Sequence, residues 1–304
     1  LKISADKFDY PNAFELLGIM YKDEIYVQRD YEKAIYYFQK AIEKGNYSSY
    51  GLLSDVYYFT GNWTEAELYA KKCIENYDNS KIFPTKKTNI DCTYDLAWFL
   101  YYHNTSEERD IKSIEYFKSI EKLDVRAAIF MTNYLIDPHD AFGFELELLK
   151  HIEHFDSNYD KVQLFSELVD HYNHIVKPKK SIQYANDALH HLKLLEESRQ
   201  GILNEEVINI KKNMIIAYIA DGNFDEARRV LVEVSLDLNQ SNVYSGELSD
   251  KFYNADVYEF KFYEAEIAFH KGKYVNAFNL FKNLIEVFSA NPELDNGSYL
   301  FQAH

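Results

Sequence analysis

The sequence is short of residues that interrupt helices, and its positive charge is well below its negative charge. Its 304 residues include only five prolines and ten glycines, so long segments lack a helix breaker, which favours helices over a strand-rich fold. Only 33 Lys and Arg stand against 49 Asp and Glu, for a formal net charge of −16. That balance argues against nucleic acid and against an anionic membrane surface as partners, since both need clustered basic residues.

Cysteines and long apolar runs are scarce too. The two cysteines, Cys73 and Cys92, cannot form a zinc site alone, and so low a number is compatible with a reducing cytoplasm. No apolar run approaches the roughly 20 residues that span a bilayer, and no signal-peptide pattern follows Leu1. We therefore expect a cytoplasmic protein that does not cross a membrane.

The motifs of the common enzyme classes are missing. The sequence contains no phosphate-binding loop, dinucleotide-binding glycine pattern, serine-hydrolase elbow or zinc-protease motif. His151 and His154, and likewise His171 and His174, share a helix face and could supply metal ligands, but such histidines more often form hydrogen bonds. We predict no catalytic residue, no cofactor and no metal.

A repeating helix pattern is what the sequence does contain. From Ala13 to Gly45 it predicts two short helices joined by a spacer. Gly18 would let a neighbouring helix approach closely, Asp30 suits a helix N-cap, and Gly45 suits a C-cap. Related patterns recur along the chain, and repetition of a helix pair is typical of an α-solenoid.

The first unit resembles the SEL-type (Sel-one-like) repeat, a long-spacer relative of the tetratricopeptide repeat. Glu24 stands where that family usually has glycine, and later units resemble tetratricopeptide repeats in their shorter spacing and their tight Gly-Asn/Lys-aromatic turns. The resemblance implies an all-α, right-handed superhelical α-solenoid of about seven helix-turn-helix repeats. The residues that carry it in the first unit are Ala13, Leu17, Gly18, Tyr21, Val27, Asp30, Lys33, Ala34, Phe38, Lys40, Ala41 and Gly45.

The repeat pattern extends over most of the chain but is blurred in the middle. We expect residues 1–304 to form a single tetratricopeptide/SEL-type repeat superhelix. Because the pattern is weakest around Asp137 and Pro138, we expect either a bend or a sub-domain boundary near residues 137–160. The sequence has room for an additional helix after Pro292.

The family resemblance also implies a binding surface. In that geometry, the residues one and four positions after the small residue of each first helix line the concave groove. A groove that mixes carboxylates with apolar side chains suits a protein or peptide partner with basic and apolar side chains. The candidate groove residues are Asp55, Tyr58, Asp170, Asn173, Ile216, Ile219, Glu266 and Phe269.

We therefore predict a non-enzymatic protein- or peptide-binding scaffold that uses the concave groove of a helical repeat array. The alternative is the ligand-sensing repeat domain of a larger peptide-responsive regulator or signalling protein, whose effector domain lies outside this chain. The Lys and Asn clamp with which some tetratricopeptide domains hold a C-terminal carboxylate is not evident; Lys212, with Asn209 and Asn213, is the nearest approach. Homo-oligomerisation stays open.

Overall fold

The computed structural model describes residues 10–76, 86–102, 107–137, 139–196, 204–240 and 247–290. Within these ranges the regular secondary structure is fourteen helices and no strand, so the prediction of an all-α helical-repeat fold is confirmed. The helices are α1 Pro11–Lys22, α2 Tyr31–Glu43, α3 Ser49–Phe59, α4 Trp63–Glu75, α5 Lys86–Tyr102, α6 Glu107–Ile120, α7 Val125–Leu135, α8 Ala141–His154, α9 Asn158–His174, α10 Pro178–Glu196, α11 Asn204–Ala220, α12 Phe224–Gln240, α13 Glu247–His270 and α14 Tyr274–Ala290.

The chain divides into two compact units, one ending at Asp137 and the other beginning at Pro138. Helices α1–α7 belong to unit 1 and helices α8–α14 to unit 2. The division lies at the start of the interval in which the sequence predicts a bend or a boundary. That all 304 residues form one superhelix stays a prediction, and the helix considered after Pro292 lies outside the described residues.

In both units each helix packs on the next one in the chain. Six helix pairs result, with α1, α3, α5, α9, α11 and α13 as first helices and α2, α4, α6, α10, α12 and α14 as second helices; α7 follows α6 in the position of a further first helix. First helices also contact one another, α1 with α3 and α3 with α5 in unit 1, α9 with α11 and α11 with α13 in unit 2. Each unit therefore presents a face made of first helices.

The core of unit 1 is a series of clusters that neighbouring helices share, as expected of a repeat array. Phe14 and Leu17 of α1 pack with Tyr37 of α2, while Phe38 of α2 packs with Leu53 of α3. Further clusters follow between α4 and α5 and from α5 to α7. In each of these clusters the apolar residues of one helix are buried by those of a neighbouring helix.

The first helix pair forms as its sequence predicts. The carboxylate of Asp30 accepts a hydrogen bond from the Lys33 backbone N–H at 3.0 Å and caps α2, and Gly45 has the positive φ of 92° that favours glycine after a helix. A Cβ atom on Gly18 would lie 2.5 Å from the Phe38 ring. Gly18 is therefore the residue that allows α1 and α2 to pack this closely.

Three of the tight turns close in the same way. Gly61, Gly222 and Gly272 have φ between 72° and 76°, and the backbone N–H groups of each glycine and of the next residue donate to the last turn of the preceding helix. This is the Schellman arrangement, which suits glycine because the conformation is left-handed. After α9 the same hydrogen bonds form around Val176, whose φ is 54°, a strained value for a β-branched residue.

Buried serines tie helix to helix at positions where the sequence pattern asks for a small residue. The Ser54 hydroxyl donates to the Ala66 carbonyl at 2.7 Å, and the Ser113 hydroxyl donates to the Ala97 carbonyl at 2.8 Å. Ser181 makes the equivalent bond to Val169 at 3.4 Å. Serine is thus accommodated in the core because its hydroxyl is paired.

A disulfide bond joins Cys73 of α4 to Cys92 of α5 and so links two neighbouring helix pairs. Disulfides are typical of oxidising compartments and rare in the cytosol. The presence of this bond is therefore more typical of an oxidising compartment than of the cytoplasm. The cytoplasmic location stays a prediction. In the described part of the chain, no helix has the length and hydropathy needed to cross a membrane.

Candidate functional site

A cleft of about 560 Å³ opens on the first-helix face of unit 1. Its volume is within the range of ligand-binding pockets, but its lining is more polar than theirs usually is. Four carboxylates and two cations line it, so its local charge is negative. The lining residues are Glu15, Ser48, Gly51, Leu52, Asp55, Lys87, Thr88, Asp91, Cys92, Asp95 and Arg126, from α1, α3 with its preceding residue, α5 and α7.

One end of the cleft is fixed by Glu15 of α1. Its carboxylate accepts hydrogen bonds from the side chains of Asn46 at 3.0 Å, Ser48 at 2.8 Å and Ser49 at 2.7 Å. Asn46 and Ser49 are buried. Because three donors hold it, the Glu15 carboxylate is a preorganised part of the wall between α1 and α3.

Two other carboxylates of the cleft are paired with cations. Asp55 lies 3.4 Å from the Lys22 ammonium, and Asp91 lies 2.6 Å from the Arg126 guanidinium. Arg126 also pairs with Asp124 at 2.6 Å and stacks over the Tyr94 ring. Burial nevertheless raises the pKa of Asp55, and the Lys22 charge offsets this only in part.

Asp95 of α5 differs from these carboxylates. It has no hydrogen bond or ion pair within the described residues, and it is partly buried in the same cleft. Burial, followed by the nearby charge of Asp55, raises the pKa of Asp95 to about 7. A carboxyl with this pKa changes charge near neutral pH, which is a feature enriched at functional sites.

Raised carboxyl pKa values follow the first helices throughout the described residues. Besides Asp55 and Asp95 in unit 1, burial raises the pKa of Asp170 to about 6 and also raises the pKa of Glu266 in unit 2. Three of these four, Asp55, Asp170 and Glu266, are residues that the sequence predicts for the groove.

In unit 2 the predicted groove residues Asp170 and Asn173 form one network with Asn213 of α11. The Asn213 amide donates to the Asp170 carboxylate at 2.7 Å. The Asn173 amide in turn donates to the side-chain and backbone oxygens of Asn213, both at 3.2 Å. The network thus crosses from one first helix to the next, and polar groups of both helices meet on this face.

The apolar groove predictions differ in how open they are. Ile216 and Phe269 are exposed and Ile219 is partly buried. Tyr58 instead packs in the core of unit 1, with its ring centroid 5.4 Å from that of Phe99 and 5.1 Å from that of Trp63. Much of the Tyr58 ring is therefore used for packing, and the residue does not line the cleft.

Lys212, the nearest approach to a carboxylate clamp, is engaged inside unit 2. Its ammonium lies 2.6 Å from the Glu259 carboxylate of α13, and both side chains are largely buried. A clamp would need this ammonium to face the ligand. The ion pair instead holds α11 against α13.

Sequence reasoning missed three of the four carboxylates in the cleft of unit 1, namely Glu15 of α1 and the pair Asp91 and Asp95 of α5. The repeat pattern is degenerate around α5, so the rule based on the small residue of a first helix did not select Asp91 and Asp95. The i, i+4 spacing of this pair places both carboxylates on one face of α5. That like-charged pair was the available signal, since such pairs destabilise a helix slightly unless something opposes their repulsion.

The described residues hold no group of three or more His, Cys, Asp and Glu side chains arranged to bind a metal ion. His171, one of the histidines weighed as a ligand, stacks on the Phe144 ring with the centroids 4.2 Å apart. Burial lowers the pKa of His171. Its ring is thus part of the packing between α8 and α9.

The fold and the faces made by first helices define a helical-repeat protein built of helix pairs. No protein-family model matches the sequence, and no curated protein matches it significantly. The solved structures that are distantly similar include the following three. The apo form of the quorum sensor NprR from B. thuringiensis is 12% identical over 90% of this chain and 70% of its own, with a TM-score of 0.41. The assembly chaperone of RpL4, Acl4, is 12% identical over 97% of this chain and 95% of its own, with a TM-score of 0.44. The third is c5321, a protective antigen of uropathogenic Escherichia coli with an SLR fold. It is 15% identical over 98% of this chain and 76% of its own, with a TM-score of 0.39.

Proposed function

We propose that the chain is a non-enzymatic scaffold that binds a protein or peptide on its first-helix faces, with the cleft of unit 1 as its principal recognition site. The partner carries basic side chains with apolar ones between them. The observation that carries this proposal is Asp95, a partly buried carboxyl that no hydrogen bond or ion pair engages within the described residues, inside a cleft of about 560 Å³.

The charge of the cleft favours a cationic partner. Lys22 and Arg126 engage Asp55 and Asp91, while Asp95 is left as the acceptor that an incoming Lys or Arg could pair with. A guanidinium suits such a site because its planar fork can bond two acceptors at once. The chain's net charge of −16 would also attract a basic partner at long range.

Binding through Asp95 should depend on pH in a definite direction. The carboxyl with a pKa of about 7 is mostly protonated at lower pH and mostly charged at higher pH. A bound cation favours the charged form and lowers the pKa. Affinity for a basic peptide should therefore rise as the pH increases through 7, and binding near neutral pH should release protons.

A fluorescence-anisotropy titration tests the proposal with a short labelled peptide that alternates arginine with leucine. The full chain should bind it, and Asp95→Asn should weaken binding by roughly tenfold, as for a hydrogen bond to a charged group worth about 1.5 kcal/mol. The matched control is Asp156→Asn, which removes an exposed carboxylate in unit 2. A peptide with glutamate in place of arginine checks the charge preference.

Three results would count against the site. Equal affinity of Asp95→Asn and Asp156→Asn would show that only overall charge matters. Preference for the glutamate peptide would contradict the predicted partner chemistry. Affinity that does not change between about pH 6 and pH 8 would mean that Asp95 does not face the peptide, because its charge changes over this range.

The alternative, a ligand-sensing repeat domain of a larger regulator, places the same faces in a different setting. The network of Asp170, Asn173 and Asn213 offers that ligand both donors and acceptors on the first-helix face of unit 2. Intact-mass analysis of the native protein distinguishes the two, since a regulator would carry an additional effector domain on the same polypeptide.

A further inference from the structure

Helix α14 presents apolar side chains to solvent at its beginning. Tyr274, Val275 and Phe278 are 64%, 78% and 65% exposed, and we refer to these three residues as the α14 face. The ring of Phe269, half-exposed at the end of α13, lies against Tyr274 with the centroids 5.6 Å apart. Large apolar side chains exposed together indicate a surface for association.

The repeats themselves show what this surface does elsewhere in the array. In three of the second helices, α2, α6 and α12, the residue after the small position lies against the following helix. In α2 this residue is Ile35, after Ala34, and it packs into the cluster that contains Leu53 and Val56 of α3. The position is therefore a stacking position between one helix pair and the next.

The same holds in later pairs. Ile114 of α6 packs into the cluster formed with Ala127 and Met131 of α7. Arg228 of α12 lines a small cavity together with Ile267 of α13. In these three pairs the side chain at this position, whether apolar or charged, meets the next helix of its own unit.

Phe278 occupies this position in α14, directly after the small residue Ala277. Val275, three residues earlier, corresponds to Asp225 of α12, which pairs with Lys271 in the turn that directly follows α13. No helix among the described residues follows α14 and covers Phe278 or Val275. The α14 face is thus a stacking surface whose partner helix is missing from the described part of the chain.

We propose that a second copy of this chain covers the α14 face, so that two chains associate through α14 in a symmetric dimer. Aromatic side chains bury roughly 150–250 Å² each, so the exposed parts of the α14 face and Phe269 amount to about 450–500 Å² per copy. Two copies would bury about 1,000 Å², which meets the lower limit for a specific interface. A two-fold arrangement brings the same residues together from both chains.

The local charge permits this contact although the chain as a whole carries −16. Two cations lie near the face and are paired with carboxylates. Lys271 pairs with Asp225, and the Lys282 ammonium lies 3.8 Å from the Glu286 carboxylate. The face itself has no carboxylate. Repulsion between two acidic chains then acts mainly through more distant charges, which salt screens. The dimer should therefore strengthen with added salt.

Light scattering coupled to size-exclusion chromatography tests the proposal on the full chain. The wild type should elute with twice the chain mass of 35.9 kDa. Phe278→Asp should raise the dimer dissociation constant at least a hundredfold and give the single-chain mass, while Ile111→Asp, which changes an exposed apolar residue of α6, should leave the dimer intact. Circular dichroism of each variant verifies that the helices remain folded.

Each other outcome overturns the proposal. A wild-type chain that stays monomeric at high concentration excludes the dimer. A dimer that survives Phe278→Asp, or that weakens as salt is raised from about 0.05 M to 0.5 M, associates through a different and charge-driven face. If only a chain truncated after Ala290 dimerises, residues 291–304 and not a second copy cover the α14 face in the full chain.

Discussion

Replacing Val176 by glycine should stabilise the protein although it removes side-chain atoms. The residue follows α9 with a φ of 54°, and the left-handed conformation costs an L-residue roughly 1–2 kcal/mol. Its side chain is 67% exposed, so little burial is lost. Glycine would keep both turn hydrogen bonds, from the Val176 and Lys177 amides to Asn173 and Tyr172, at 3.1 and 2.8 Å.

The net gain is smaller than the strain that is relieved. Glycine is more flexible in the unfolded chain, which costs about 0.5–1 kcal/mol. We therefore expect Val176→Gly to raise the free energy of unfolding by about 0.5–1 kcal/mol. Gly222→Val is the reciprocal change, because Gly222 has a φ of 74° and a Cβ there meets no atom within 4 Å. It should lower stability by about 0.5–1 kcal/mol, because the strain of the left-handed backbone is offset in part by the lower flexibility of valine in the unfolded chain.

Urea denaturation followed by far-UV circular dichroism measures both variants, and amide exchange at Lys177 reports the turn locally. Val176→Gly should slow that exchange and raise the urea midpoint. If it lowers the midpoint while Gly222→Val also lowers it, the Val176 side chain stabilises the turn by contacts. If neither variant changes the midpoint, backbone strain in these turns does not limit stability.

Three further predictions concern unit 1. Gly18→Ala should lower the unfolding free energy by about 1–2 kcal/mol, because the added methyl group would overpack against the buried Phe38 ring and this cost exceeds the gain in helix propensity. In urea denaturation, the double variant Gly18→Ala with Phe38→Leu should recover part of that loss. Cys73→Ser should cost about 3 kcal/mol, because the bond to Cys92 closes a loop across 19 residues; identical urea curves with and without a dithiol reductant would refute the bond. Asp95→Asn should leave stability unchanged near pH 4 and raise it on the order of 1–3 kcal/mol near pH 8. The pKa of Asp95, raised from 3.8 to about 7, makes the wild type lose stability as pH rises through that window; thermal melts that show no such divergence contradict the assignment.

Local features of the fold were predictable because they depend on neighbours in sequence. The N-cap at Asp30 and the close packing at Gly18 follow from helical periodicity and from the conformational preferences of single residues. The strain at Val176 was hidden, since the sequence offers an ordinary apolar residue where the other turns have glycine. The positive φ of Val176 and the closing hydrogen bonds of the turn show that the backbone is left-handed there.

The cleft was predictable only in part because it depends on where separate helices converge. Asp55 follows from its position after Ser54, but its proximity to Asp95 depends on the packing of α3 against α5. The pairing of Cys73 with Cys92 likewise requires the path of the chain between α4 and α5. The spacing of residues along one helix predicts which side chains share a helix face. The distance between the faces of two helices depends on how the helices pack, which the spacing does not predict.

The carboxyls of the first helices are better explained by binding than by stability. Burial raises the pKa of Asp55, Asp95, Asp170 and Glu266, so their charged forms are less favourable in the folded chain than in the unfolded chain. Near pH 8 these groups therefore destabilise the array, and neutral side chains of similar size would remove that cost. Residues that lower stability and lie together on one type of face are those expected where a partner supplies the missing interaction. A cation placed beside Asp95 would recover part of that stability on binding. A basic peptide should therefore raise the melting temperature of the wild type more than that of Asp95→Asn. Equal increases would mean that the destabilising charge of Asp95 is not relieved by the bound peptide.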